Sequence, residues 1–159
     1  MLLLEPAPAY LTLRHKLAWI DTRAQSPAQI TVFLTKKGIP ILDVGKFIAT
    51  ALSKTNLSEG TQSQVSKILE TKIETERRIP EGWTQPLICL SNLGILLEPD
   101  LQIQASFLLK ALSKNTFLII LWDYICDEPD FFHWGTQKQA FNLDFSGTGI
   151  KKIPFSNDI

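Results

Sequence analysis

The feature that most restricts the fold of this chain is a pair of apolar runs that do not alternate, Pro86-Leu87-Ile88-Cys89-Leu90 and Phe117-Leu118-Ile119-Ile120-Leu121-Trp122. A strand with one face in water shows apolar and polar residues in turn, whereas a strand covered on both faces is apolar throughout. Between the two runs, Ser91 to Leu97 leads into Glu98-Pro99-Asp100, which opens a helix with Phe107, Leu108, Ala111 and Leu112 on one face and closes at Ser113-Lys114-Asn115. Strand, helix, strand is a crossover unit, and crossovers join parallel strands.

The same unit recurs upstream. Leu17 to Ile20 is an apolar strand, followed by the turn Thr22-Arg23-Ala24-Gln25-Ser26-Pro27-Ala28-Gln29 and a helical segment from Ala28 to Lys37, in which Ile30, Val32 and Phe33 share a face and Gly38 is the stop. Ile39-Pro40-Ile41-Leu42-Asp43-Val44 reads as a short strand broken by Gly45, and Phe47, Ile48, Ala51 and Leu52 form one stripe of a helix from about Lys46 to Lys54. A polar loop, Thr55 to Thr61, leads to a helix with Val65, Ile68, Leu69 and Ile73 inward; Lys67, Glu70, Lys72, Glu74, Glu76, Arg77 and Arg78 are on its polar side, and Pro80-Glu81-Gly82 is its stop. Four strands with helical crossovers predict an α/β protein built as a three-layer αβα sandwich, one domain over residues 1–159. The tail from Phe141 to Phe155 differs, since two strand-like pieces flank Ser146-Gly147-Thr148-Gly149 and predict a C-terminal β-hairpin at the sheet edge.

Composition excludes several classes. With 45% hydrophobic and 20% charged residues the chain is neither disordered nor fibrous, and its 16 basic and 16 acidic side chains cancel, so no global field attracts nucleic acid or an anionic membrane. The pairs Lys36-Lys37, Arg77-Arg78 and Lys151-Lys152 read as solvated element ends. Met1-Leu2-Leu3-Leu4-Glu5-Pro6 has no basic leader, and no run approaches the roughly 20 apolar residues of a membrane span, so a cytoplasmic protein is expected. Cys89 and Cys126 read as small core residues; with His15 and His133 far apart and no Cys-x-x-Cys spacing, no metal is expected.

The first strand ends where a phosphate loop would begin. Such a loop needs glycines so that successive N–H groups converge on an anion, a lysine for the outer phosphates and a Ser/Thr hydroxyl for magnesium. The turn supplies none of these in place.

The words Asn92-Leu93-Gly94-Ile95-Leu96-Leu97-Glu98-Pro99, Leu108-Leu109-Lys110-Ala111-Leu112-Ser113-Lys114-Asn115 and Phe117 to Trp122, with Gly38-Ile39-Pro40-Ile41-Leu42-Asp43 upstream, form a recognisable series. It resembles the small P-loop-containing protein of type 3 BREX phage-defence systems, which has an Asp-Asn strand end, an I-x-L-L-F-x-P turn, a Leu-rich helix closing on Ser-Arg-Asn and a strand ending in Trp. The resemblance covers about Leu13 to Phe155. It implies a nucleotide-hydrolase-like parallel sheet and a place in antiviral defence. The departures fall on the nucleotide-handling positions. Thr22 and Gln25 stand at loop glycines, Pro27 replaces another and removes an N–H, Ala28 and Gln29 stand at the Lys and Ser/Thr, and Ser91 occupies the place of the acidic residue that organises magnesium. Each charge-assisted hydrogen bond that these replacements forgo is worth about 1.5–3 kcal/mol, against about 8 kcal/mol for micromolar affinity. No nucleotide cofactor and no catalytic residue is therefore expected.

Two other constellations remain. Asp123, Asp127, Glu128 and Asp130 follow the fourth strand, where acidic groups would suit metal or acid–base chemistry in a divergent enzyme. Trp122, Tyr124, Phe131, Phe132 and Trp134 intersperse them, either as a docking surface for another protein or as a cap on the core. No Gly-x-Ser-x-Gly elbow occurs, Cys89 lies inside a strand, and neither histidine has an evident partner. The sequence thus predicts a non-catalytic adaptor or structural subunit of a bacterial defence or DNA-handling complex. It would bind other protein subunits, with DNA contacted only through the complex and a homo-oligomer if the helix from Ala28 to Lys37 exposes an apolar strip. A nucleotide- or metal-dependent enzyme and a nucleic-acid-binding subunit are the alternatives.

Overall fold

A computed structural model describes residues 14–54, 61–124, 126–127, 130–134 and 142–154. The expected readings of the leader at Met1 to Pro6, of the loop before Thr61, of Glu128 and of the tail's end residues Phe141 and Phe155 lie outside the described residues.

Five parallel strands form the main sheet: β1 (Leu17–Asp21), β2 (Ile41–Asp43), β3 (Leu87–Ser91), β4 (Phe117–Trp122) and β8 (Lys151–Lys152), in the order β2-β3-β4-β1-β8. Among the described residues four α-helices accompany it: α1 (Pro27–Lys36), α2 (Val44–Ser53), α3 (Thr61–Glu76) and α4 (Ala105–Leu112). The crossover from β1 runs to the β2 edge, and the next two run back, so right-handed connections must place their helices on opposite faces. That is the observed layering. Ala18, Ile20, Leu87, Cys89, Phe117 and Ile119 pack with Ile30 and Leu34 of α1 on one face. Leu17, Trp19, Ile88, Leu90, Leu118 and Ile120 pack with α2, α3 and α4 on the other. Alternate residues of one strand serve different layers, which is why the runs carry no alternation. At about 1.5–3 kcal/mol per fully buried large apolar side chain, this two-sided burial is the main stabilising term.

A second, three-stranded antiparallel sheet, β5 (Cys126–Asp127), β6 (Phe131–His133) and β7 (Asn142–Asp144), adds to the α2–α4 side through Phe132 and Leu143. The antiparallel addition therefore exists, but not across the expected turn. Of the two pieces flanking residues 146–149, the first pairs with β6 and the second joins β1 in parallel.

Four local readings change for physical reasons. Gly45 does not break the chain after β2. Asp43 accepts the Lys46 N–H at 2.9 Å and starts α2 at Val44, and Gly45 lies inside the first turn because a Cβ there would come within 2.3 Å of Asn92 Nδ2. In α1 the buried residues are Ile30 and Leu34, with Phe33 partly covered; Val32 is 53% exposed, so it leaves no continuous apolar strip. Pro99 opens a separate 3-10 turn (Pro99–Leu101), ended by Gln102 at φ 52°, and α4 starts only at Ala105. In α4 Ala105 and Leu109 are buried and the expected Leu108 and Leu112 pack partly buried against the same core, whereas Ala111 is exposed and Phe107 is 71% exposed. Gly38, at φ 72°, does end α1 as expected, with Ile39 N bonded back to Leu34 O.

Candidate functional site at the carboxyl ends of the strands

Because the strands are parallel, the ends of β1, β2, β3 and β4 share one edge of the sheet, where α/β proteins carry their ligand crevice. Residue by residue, that edge holds Asp21, Asp43, Ser91 and Trp122.

At the end of β1, Asp21 turns its carboxylate into the loop and caps a 3-10 turn (Thr22–Ala24). It accepts from Arg23 backbone N at 3.0 Å, Arg23 Nε at 3.0 Å and Arg23 Nη2 at 2.8 Å, and Lys152 Nζ from β8 stands 3.6 Å away. The Arg23 hydrogen bonds hold the Asp21 carboxyl below the ordinary aspartate range despite its partial burial, and the same pairing raises Arg23. Lys152 also lies 5.2 Å over the Trp19 ring. The Thr22 hydroxyl donates to Trp122 O at 3.1 Å and meets Asp123 Oδ1, tying the loop to the end of β4. Ser26 caps α1 by accepting from Gln29 N at 3.1 Å, and Pro27 at the first helical position has no N–H to offer. Gln25 Oε1 is a buried acceptor with no hydrogen-bond partner among the described residues, which is the wrong polarity for a phosphate oxygen. The turn therefore commits its donors locally, with Arg23 bonded to Asp21, the Gln29 N–H to Ser26 and no N–H on Pro27, rather than converging them on an anion.

At the end of β3, Ser91 donates to Leu42 O at 3.4 Å. Asn92 adopts the left-handed conformation at φ 56° and donates through Nδ2 to Asp43 Oδ1 at 3.0 Å. Asp43, which pairs with Ser91 in register, is already committed to capping α2 and holding Asn92.

The acidic run after β4 is dispersed. Asp123 lies against Thr22; Asp127 Oδ2 is 2.6 Å from His133 Nε2; Asp130 gives its backbone carbonyl to Phe145 N. Among the described residues no group of three or more His, Cys, Asp or Glu side chains could hold a metal ion. His133 has the partners that the sequence did not reveal. Its Nδ1 is 2.9 Å from Asn142 Oδ1, so one buried ring bridges all three strands of the small sheet. His15 is bonded through Nδ1 to Lys110 O at 3.0 Å and Ser113 Oγ at 3.2 Å. Cys89 is fully buried in β3, and burial pushes its thiol pKa far up, while Cys126 is only partly covered.

The aromatic residues form an edge-to-face cluster. Trp122 and Phe132 are buried, with ring centroids 5.6 Å apart, and Phe132 reaches Trp19 at 5.1 Å and Phe145 at 5.4 Å. Trp134 packs on Trp122 at 5.8 Å and Tyr124 at 4.8 Å, and its ring lies so close to Gly94 that a Cβ there would come within 2.1 Å. Burial removes Trp122 and Phe132 from any docking surface. Tyr124 and Trp134 keep partial exposure as the outer layer packed on Trp122, and the partly exposed Phe131 lies against His133 at 5.1 Å instead.

In comparisons with known proteins, no family model, curated protein or solved structure matches the chain. Among the described residues no helix is long and apolar enough to cross a membrane.

Proposed function

We propose that this protein is a non-catalytic adaptor or structural subunit of a bacterial anti-phage defence or DNA-handling complex, acting in the cytoplasm on a nucleotide-hydrolase-like scaffold that has lost its phosphate site. One observation carries the loss of that site. The end of β1, where a phosphate loop would gather donors around an anion, contains the Asp21 carboxylate bonded by Arg23 and faced by Lys152. A triphosphate brought there would find the two neighbouring cations, Arg23 and Lys152, already engaged by Asp21, a proline without an N–H and a helix end whose Gln29 N–H is taken by Ser26, so few donors are left for it. The defence setting is supported by the resemblance of the segment Asn92 to Trp122. Acceptance of protein partners is what remains for a scaffold of this kind when the chemistry is gone.

Isothermal titration of the full chain with ATP and magnesium tests the lost site. The expected result is no binding heat at ligand concentrations of tens of micromolar, and saturable binding in that range would favour the alternative of a divergent nucleotide-dependent enzyme. Co-purification with and without nuclease tests the adaptor role. Protein partners retained after nuclease treatment are the expected result, and their complete loss would favour a nucleic-acid-binding subunit.

A further inference from the structure

We infer that the amino-terminal edge of the parallel sheet binds the phosphate backbone of a nucleic acid strand directly; this goes beyond the adaptor reading and does not depend on it. Along the chain the basic residues are scattered. The strand order gathers them. β3, β4 and β1 are neighbours in the sheet, and the segments that enter them carry Arg77 and Arg78, Lys114, and Arg14 and Lys16 in turn. Backbone bonds hold these segments side by side: Arg78 N to Leu87 O at 3.2 Å, Phe117 N to Pro86 O at 2.9 Å, Leu118 N to Lys16 O at 2.9 Å and Lys16 N to Ser113 O at 2.9 Å. With neighbouring strands about 4.8 Å apart, these cations form a row across roughly 10 Å of edge. Lys36 and Lys37 continue it toward β2, since a Cβ on Gly38 would stand 3.8 Å from Pro80.

Capping of helix ends accounts for part of the row. Lys16 Nζ donates to Lys114 O at 3.0 Å, Arg77 Nη1 to Thr116 Oγ1 at 2.8 Å and Arg78 Nη1 to Thr75 O at 2.9 Å, which sets cations over the carboxyl ends of α3 and α4. Those partners are neutral, so the charge stays. Arg14 and Lys114 are exposed and make no side-chain hydrogen bond or ion pair among the described residues, and no carboxylate there is paired with Lys16, Arg77 or Arg78. The acids of the same edge are Glu74, Glu76 and Glu81, and Glu76 is bonded to Lys72 at 3.0 Å besides feeling Arg78. Residues 1–13, which lead into Arg14, add a single acid, Glu5. The edge keeps a positive surplus.

The zero net charge of the chain does not cancel this surplus. The carboxylates Asp21, Asp43 and Asp123 lie at the other ends of the strands, roughly 17–20 Å away for strands of this length, and the Debye length at physiological ionic strength is about 8 Å. Charge spacing selects the occupant. A nucleic acid strand presents one phosphate per roughly 3.4 Å of axis, dense enough to engage the row, whereas an extended acidic peptide offers a carboxylate on one face only every 6.8 Å or so. The three arginines add forked donors that suit phosphate oxygens. Ile79, 59% exposed beside Arg78, is a single apolar side chain and not a patch that would favour a membrane or an apolar partner.

The probe is a fluorescein-labelled single-stranded DNA of about 20 nucleotides, followed by anisotropy against the full chain. Saturable binding at roughly 1–100 µM is expected at physiological salt, weakening with a log–log salt slope of about −2 to −4 for some three to five phosphates engaged. Arg14→Glu combined with Lys114→Glu, at exposed positions without side-chain bonds, should weaken binding roughly tenfold and flatten the slope by about 1 to 2. Lys46→Glu combined with Lys67→Glu makes the same change of net charge away from this edge, and should weaken it by no more than about twofold. Equal urea midpoints for the parent and both variants separate lost binding from lost folding. The inference is overturned if no saturable binding occurs at about 50 mM salt, if the affinity does not change with salt, or if the two double variants lose affinity equally. Displacement of the DNA by polyglutamate or by phosphatidylserine vesicles, as effective per charge as by unlabelled DNA, overturns it too. Failure of the DNA titration while nuclease-resistant co-purification persists defeats this edge and not the adaptor reading; the reverse pattern defeats the adaptor reading alone.

Discussion

The Asp21 carboxylate accepts three hydrogen bonds from Arg23 and faces Lys152, so its energetic role can be read from its titration. Its pKa is lowered in the folded state, first by the Arg23 side-chain bonds. A depressed carboxyl contributes stability that is present above its unfolded pKa of about 3.9 and is lost as pH falls through the folded value. Asp21→Asn should therefore cost about 1 kcal/mol at neutral pH, discounted for the exposure of Arg23. The cost should shrink toward zero as pH falls through the lowered folded-state value, as urea midpoints measured between neutral and acid pH would show. Gly94 is constrained by packing rather than by a turn. A Cβ there would meet the Trp134 ring at 2.1 Å, and Gly94→Ala should cost about 1–3 kcal/mol by overpacking. Its check is a lowered urea midpoint together with a red shift of tryptophan emission as the cap loosens. Neither role was legible in the sequence. Asp21 lies just past the expected strand Leu17 to Ile20, Gly94 is one letter of the run after the third strand and Gly45 reads as a break, because the side chains that the two glycines accommodate come from distant segments.

Elements were more legible than their ends. The strands Leu17–Asp21, Leu87–Ser91 and Phe117–Trp122 follow from continuous apolar runs, and α1 and α3 from helical spacing, because burial on both sheet faces leaves a signal in each local window. Boundaries depended on single side chains acting on backbone N–H groups. Asp43 starts α2 two residues early, and Gln102 in the left-handed region separates the Pro99 turn from α4. The cap of α1 was in view as Ser26-Pro27 in the turn, although those positions stand out in the sequence chiefly for their lack of phosphate-loop residues. Since Ser26 Oγ takes the Gln29 N–H and Pro27 leaves no donor to satisfy, Ser26→Ala should cost about 1 kcal/mol. Chemical denaturation checks the value. Circular dichroism should show a helix content reduced by no more than its first turn, because Ile30 and Leu34 still anchor the helix to the sheet.

At the scale of the whole molecule, the parallel architecture was readable, whereas the destination of β8 was not. A two-residue strand of lysines has no apolar pattern, and its partner β1 lies almost the whole chain away, so local periodicity carried no information about the pairing. What fixes it is visible only in three dimensions. Ile150 is 5% exposed in the layer of α2, α3 and α4, and Ile153 is 6% exposed in the layer of α1, so the residues flanking β8 pin the sheet edge from both faces while Lys152 reaches Asp21. The outer edge of β1 would be an unpaired row of backbone donors and acceptors without β8, a template for association with other chains. Truncating either isoleucine should therefore have two separable effects. Ile153→Ala should lower stability by about 2–4 kcal/mol through loss of burial and an unfilled space. Combined with Ile150→Ala, the loss should grow roughly additively, since the two side chains sit in separate clusters. Only the double variant, with neither face holding β8, should expose the β1 edge and show concentration-dependent light scattering below its unfolding transition. Scattering in the double variant no greater than in Ile153→Ala would mean that the Asp21–Lys152 pair and the two-residue ladder hold the strand without help from the flanking side chains.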